Sequence, residues 1–123
     1  MTAQPKHVLS VSYDLTLLST RHLLLEQDGY RVTSTDSFKN AFKQCSHNCF
    51  DLLIVGHSIP DGDKKDLIKT FRCYCSAPVL SLRRVGEETV PDADYHAFPD
   101  KPEELMQLVK TILAESSSDS ASQ

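Results

Sequence analysis

Phe50-Asp51-Leu52-Leu53-Ile54-Val55 runs directly into Gly56-His57-Ser58-Ile59-Pro60-Asp61-Gly62-Asp63. The first stretch is almost wholly apolar and too short for an average helix, and the second is dense in turn formers. A continuous apolar run closed in this way reads as a strand buried on both faces, and such burial is the property of a parallel sheet covered by helices. Two further runs have the same character, His7-Val8-Leu9-Ser10-Val11 and Pro78-Val79-Leu80-Ser81-Leu82. Arg31-Val32-Thr33-Ser34-Thr35 is β-branched but alternates only weakly, as a strand near a sheet edge would. Asp94-Tyr95-His96-Ala97-Phe98 makes a fifth short strand.

Helical periodicity fills the intervals. A helix is predicted from Leu15 to Asp28, with Asp14 as its N-cap and Gly29 at the C-terminal cap; its face mixes Leu17 and Leu24 with Thr20 and Arg21. A second, capped by Asp36 or Ser37, carries Phe38, Ala41, Phe42 and Cys45 at helical spacing. A third spans Lys64 to Cys73, with Leu67, Ile68 and Phe71 inward. The last opens on Asp100-Lys101-Pro102-Glu103 and shows Leu105, Leu108, Val109, Ile112 and Leu113 as its apolar stripe. Residues 1–6 form a polar lead-in, residues 7–114 one domain, and residues 115–123, rich in serine, a tail expected to be disordered. Alternating strands and helices predict a three-layer α/β/α fold on a five-stranded parallel sheet, in the flavodoxin-like order 2-1-3-4-5. The stretch from Arg83 to Ala93 holds Gly86 and Pro91 and no helical pattern, so a fourth helix there is expected to be shortened or absent.

Composition narrows the function classes. The chain has 123 residues and a net charge of −4. No Lys/Arg run exceeds a pair, so the basic stripe of a nucleic-acid binder is missing. No apolar run reaches the ~18 residues of a membrane span, and Met1-Thr2-Ala3-Gln4-Pro5-Lys6 lacks the apolar core of a signal peptide. A cytoplasmic setting is therefore expected, in which cysteines stay reduced or bind metal.

The motifs, taken in order, resemble a response-regulator receiver domain, the acceptor half of bacterial two-component signalling. Val8 to Val11 is similar to its first strand, and Asp28-Gly29-Tyr30-Arg31-Val32 to its join into the second. Phe50 to Val55, with Ile59-Pro60, is similar to the central strand and its turn, and Ala77-Pro78-Val79-Leu80 to the fourth strand. Ala93-Asp94-Tyr95, Phe98-Pro99 and Pro102-Glu103-Glu104-Leu105 are similar to the fifth strand and the last helix.

The resemblance implies a phosphorylation site that this chain does not complete. Receivers bind Mg²⁺ through two acidic residues after the first strand and through the phosphoacceptor aspartate after the third. Those positions fall on Ser12, Tyr13 and Gly56. The hydroxyl residue after the fourth strand falls on Arg83, and the lysine before the final proline on Phe98; Lys101, on the helix side of Pro99, is a poor substitute. Mg²⁺ asks for oxygen ligands in near-octahedral array, and phosphoryl transfer to a carboxylate asks for a carboxylate. A degenerate pocket is therefore expected, with no cofactor. Asp14, His57, Ser58, Asp61 and Asp63 remain as a polar rim, and their ordinary roles are caps, turns and local hydrogen bonds.

Three other features lie outside the pocket. Cys45, Cys49, Cys73 and Cys75 precede the third and fourth strands, which the predicted order makes neighbours. Four thiolates, or three with His47, would suit Zn²⁺, but the C-x₃-C and C-x-C spacings differ from a zinc ribbon; core thiols or a redox pair are the alternatives. Lys64-Lys65 and Arg83-Arg84 read as a solvated basic rim. A lost fourth helix would uncover strands four and five and favour a homodimer covering the gap. The expectation that results is a stand-alone pseudo-receiver, not an enzyme, that works by phosphorylation-independent contact with another signalling protein. An atypical acceptor using a nearby aspartate, and a cysteine-based redox or metal sensor, are the alternatives.

Overall fold

A computed structural model describes residues 5–83, 93–98 and 101–121, the last seven of these by backbone alone. Five strands form one sheet: β1 (His7–Val11), β2 (Arg31–Thr35), β3 (Leu52–Val55), β4 (Val79–Leu82) and β5 (Tyr95–Ala97). All neighbours are parallel, in the order β2-β1-β3-β4-β5. The strand order read from the sequence is the one found. Val8 lies opposite Val32 on one side and Leu52 on the other, and Val11 lies opposite Thr35 and Val55.

Helices α1 (Leu15–Gln27), α2 (Phe38–His47), α3 (Asp61–Tyr74) and α4 (Pro102–Ala121) cover the sheet. Side chains alternate across each strand, so β3 feeds both layers. Leu53 and Val55 join Leu9, Val11 and Val79 against Ala41 and Cys45 of α2 and Leu67, Ile68 and Phe71 of α3. Leu52 and Ile54 join Val8, Leu80 and Leu82 against Leu25 of α1 and Leu105, Val109, Ile112 and Leu113 of α4. Burying one such aliphatic side chain stabilises by about 1.5–3 kcal/mol, so these two layers hold the sheet. Among the described residues no helix is long and apolar enough to cross a membrane.

Local signals start and stop the helices. Asp14 accepts hydrogen bonds from the Thr16 and Leu17 N–H groups, and Ser37, rather than Asp36, accepts from Asn40 N–H. Gly29, at φ +92°, ends α1: its N–H donates to Glu26 O and the Tyr30 N–H reaches back to Leu25 O. This is the paired C-terminal closure that favours glycine. Tyr30 packs into the same layer as Leu25, completing it.

Several details differ from the sequence expectation. The buried face of α1 is Leu18, Arg21 and Leu25, so the predicted Leu17–Leu24 face is one residue out of phase. Leucines surround this helix, and Leu15 and Leu23 stay exposed, so periodicity alone does not mark the inner face. α3 begins at Asp61, not Lys64, because Pro60 at φ −58° starts the turn and Asp61 and Asp63 favour its positive end. β5 is shorter, Tyr95–Ala97. Helical backbone continues past residue 114 to Ala121, where a tail was expected; Glu115 to Ala121 contains no glycine or proline to stop it. The Arg84–Pro91 region expected to lack a fourth helix, the gap a homodimer would cover, and the Asp100 cap lie outside the described residues.

Nothing lies within 4 Å of a Cβ built on Gly29, so replacing it tests backbone conformation alone. Gly29→Ala is expected to lower stability by about 1 kcal/mol, read as a shifted midpoint in chemical denaturation with an unchanged slope.

Candidate functional site

The carboxyl ends of β1 and β3 converge on a small knot of polar groups. Gly56 N–H donates to Val11 O at 2.8 Å, extending the β1–β3 ladder by one rung. That rung sets the residue after each strand side by side. Ser12 is fully buried, and a Cβ added to Gly56 would meet Ser12 Cβ at 3.0 Å, Ser12 Oγ at 3.1 Å and Val11 O at 3.1 Å. A side chain at residue 56 would therefore press tightly on Ser12.

The hydroxyls in the knot satisfy one another. Ser12 Oγ lies 3.2 Å from Ser58 Oγ and accepts from Asp14 N–H at 3.2 Å. Ser58 Oγ also accepts from Tyr13 N–H at 3.0 Å. The Tyr13 hydroxyl crosses to α3 and donates to Asp63 Oδ2 at 3.0 Å. Burial, with Asp63 as hydrogen-bond partner and neighbouring charge, pushes the Tyr13 hydroxyl up to about 12. The ring is thus a neutral strap between the β1–α1 loop and the start of α3 throughout the neutral range.

The remaining predicted residues take other places. The Asp14 carboxylate is exposed and occupied as the cap of α1. Asp61 is exposed in the first turn of α3, and His57 is half-buried in the turn between β3 and α3. Arg83 and Phe98 leave the ends of β4 and β5 and pair with each other: Arg83 N–H donates to Ala97 O at 2.9 Å, and its guanidinium carbon lies 5.1 Å from the centre of the Phe98 ring. Such a contact between cation and aromatic face is attractive in itself.

One neighbour of the site was misread from the sequence. Lys64, taken as part of a solvated rim, is only 2% exposed, and its Nζ donates to Leu82 O at 3.0 Å. The signal was present: Lys64, Leu67, Ile68 and Phe71 stand at i, i+3, i+4 and i+7 of one helix, which puts the lysine on the buried face.

The cysteines do not form the four-ligand site considered from the sequence. Cys45 and Cys75 are buried, Cys49 and Cys73 are exposed, and all four are free thiols. Among the described residues no group of three or more His, Cys, Asp or Glu side chains is arranged to hold a metal ion. Cys73 sits in the last turn of α3 away from its buried face, which is why the set does not close.

No family model matches the chain. It is 28% identical over 121 residues to Protein PetR of Rhodobacter capsulatus, covering 92% of this chain and 51% of that protein. It is 28% identical over 83 residues to the KDP operon transcriptional regulatory protein KdpE of Escherichia coli, covering 68% of this chain and 37% of that protein. The chain thus spans about half the length of these curated relatives or less. Among solved structures, a CheY-like response regulator receiver domain protein from Methanospirillum hungatei superposes with a TM-score of 0.80 at 20% identity, covering 94% of this chain and 98% of that one. Strand order and superposition therefore give this chain the fold of a CheY-like response-regulator receiver domain, and its sequence is similar to Protein PetR and to the regulatory protein KdpE.

Proposed function

We propose that this receiver domain has no phosphoacceptor chemistry of its own and signals by direct contact with another signalling protein, in the cytoplasm, without acting as an enzyme. The observation that carries this is the contact between Gly56 and Ser12. Position 56 corresponds to the phosphoacceptor of the family, and it holds the one residue type with no side chain, with Ser12 so near that an added Cβ would press against it at 3.0 Å.

The surrounding residues support the same reading. The two positions where the family places Mg²⁺-binding acids hold Ser12 and Tyr13, and both hydroxyls are already engaged. A serine and a tyrosine in these bonds do not make the carboxylate-rich oxygen set that Mg²⁺ requires. Arg83 and Phe98, at the other two positions, are turned to each other. The site thus resembles a single resting arrangement held by hydrogen bonds, and the surface above it presents that arrangement to a partner.

Incubation with Mg²⁺ and acetyl phosphate, followed by intact mass measurement, is expected to leave the mass of the chain unchanged. A phosphoryl group added at one site, on Asp14, Asp61, Asp63 or His57, would replace this proposal with that of an atypical acceptor. Gly56→Asp is expected to destabilise the fold by roughly 2–3 kcal/mol, because its Cβ presses on Ser12 and a carboxylate is buried beside it. A variant of unchanged stability that accepts phosphate would show that the site can open.

The Tyr13 strap adds a pH signature. Its hydroxyl titrates near 10 in the unfolded chain and at about 12 in the folded one. Between these values the unfolded state has lost a proton that the folded state keeps, so stability falls as pH rises through this window. Melting temperatures followed over that range are expected to fall less steeply for Tyr13→Phe than for the unaltered chain.

A further inference from the structure

The opposite end of the sheet carries a second constellation. β3 and β4 pair with Leu53 opposite Val79. Cys49 precedes Leu53 by four residues, and Cys75 precedes Val79 by four. The register therefore brings the two cysteines to the same level below the amino ends of adjacent strands. Side-chain contacts agree with that placement. Cys75 Sγ donates to Asn48 O at 3.7 Å, the carbonyl immediately before Cys49, and Cys49 is among the groups that raise the Cys75 thiol. Cys75 is 7% exposed and packs with Cys45, Phe50 and Phe71, whereas Cys49 faces solvent.

We propose that Cys49 and Cys75 are a dithiol pair that closes to a disulfide when the chain meets a peroxide. Cys49 is the accessible thiol and reacts first. Its thiolate sulfur attacks one oxygen of the peroxide, the O–O bond breaks, and Cys49 becomes a sulfenic acid as one water leaves. The Cys75 sulfur, having released its proton, then attacks the sulfenic sulfur; the S–S bond forms, the S–O bond breaks, and a second water leaves. Two thiols and one hydrogen peroxide give one disulfide and two waters.

The neighbouring cysteines are excluded by position. Cys45 is buried behind the pair, and burial, with Cys75 nearby, pushes its thiol up to about 11, so it is neither reached nor ionised first. Cys73 lies on the exposed side of the last turn of α3. Burial also raises the Cys75 thiol, with Cys49 and Asp51 adding to the rise and the Phe50 backbone opposing it. Ring closure uses that thiol and therefore quickens with rising pH. The bond would tie the segment before β3 to the segment before β4, enclosing β3 and α3 in one loop.

Treatment of the folded chain with hydrogen peroxide, followed by thiol titration in denaturant and non-reducing peptide mapping, tests this. The count is expected to fall from four free thiols to two, with a Cys49–Cys75 linked peptide that dithiothreitol releases. Cys49→Ser, at an exposed position, is expected to abolish the link, and Cys73→Ser to leave it intact. The oxidised chain is expected to melt at a higher temperature than the reduced one. Four thiols surviving the oxidant would overturn the proposal. So would a link through Cys73, a link between two chains, or a Cys49 that stops at sulfenic or sulfinic acid.

Discussion

β1 and β3 are fastened to each other at both ends. At the amino end, Asp51 N–H donates to His7 O at 2.7 Å while His7 N–H donates to the Asp51 carboxylate at 2.8 Å. At the carboxyl end, Gly56 N–H donates to Val11 O at 2.8 Å. Sliding β3 by one residue would break these bonds and turn its alternating side chains into the wrong layers. Because β1 and β3 are the second and third strands of the five, their fixed register also places β2 and β4. The contact of Gly56 with Ser12 is a direct consequence, since it joins the first residue past each strand.

The same layers bury two cations, and each is handled differently. Lys64 lies in the α3 layer and sends its ammonium to the carbonyl end of β4, where it reaches Leu82 O. That hydrogen bond offsets part of the cost of removing the charge from water and ties the first turn of α3 to the sheet. Arg21 lies in the α1 layer at 4% exposure, with a long 3.5 Å hydrogen bond from Nη1 to Ser10 Oγ. Burial draws its pKa down to about 10, with Asp14 opposing, so it still carries its charge at neutral pH. Both side chains approach the sheet near the ends from which the site loops leave.

What the sequence could reveal followed from how local each signal is. The Phe50–Val55 run announced a strand buried on both faces, and the helix-ending glycine at position 29 and the cap at Asp14 are readable because each acts within a few residues. The inner face of α1 was not readable, since leucines at 15, 17, 18, 23, 24 and 25 leave no single stripe. The burial of Lys64 is encoded in its spacing with Leu67, Ile68 and Phe71, against the general tendency of lysine to lie in solvent. The identities of Ser12, Tyr13, Gly56, Arg83 and Phe98 came from motif positions, whereas the contacts of Ser12 and Tyr13 with Ser58 depend on register between segments 46 and 45 residues apart in the chain. Cys49 and Cys75 become neighbours only once Leu53 is known to lie opposite Val79.

A receiver in general switches because an added group binds one conformation better than another, and an equilibrium moves only by that difference in affinity. On the function proposed for this chain, the carboxyl end of the sheet offers no such difference. Its hydroxyls bond to each other and to Asp63, and a side chain at position 56 would press on Ser12. A charge brought there would have to break satisfied buried bonds before making any of its own, which costs more than leaving both states unliganded. Control therefore has to enter where unsatisfied chemistry remains. Partner binding supplies it from outside the chain. From within, the proposed Cys49–Cys75 dithiol would supply it at the amino ends of β3 and β4, the opposite end of the strand that leads into Gly56.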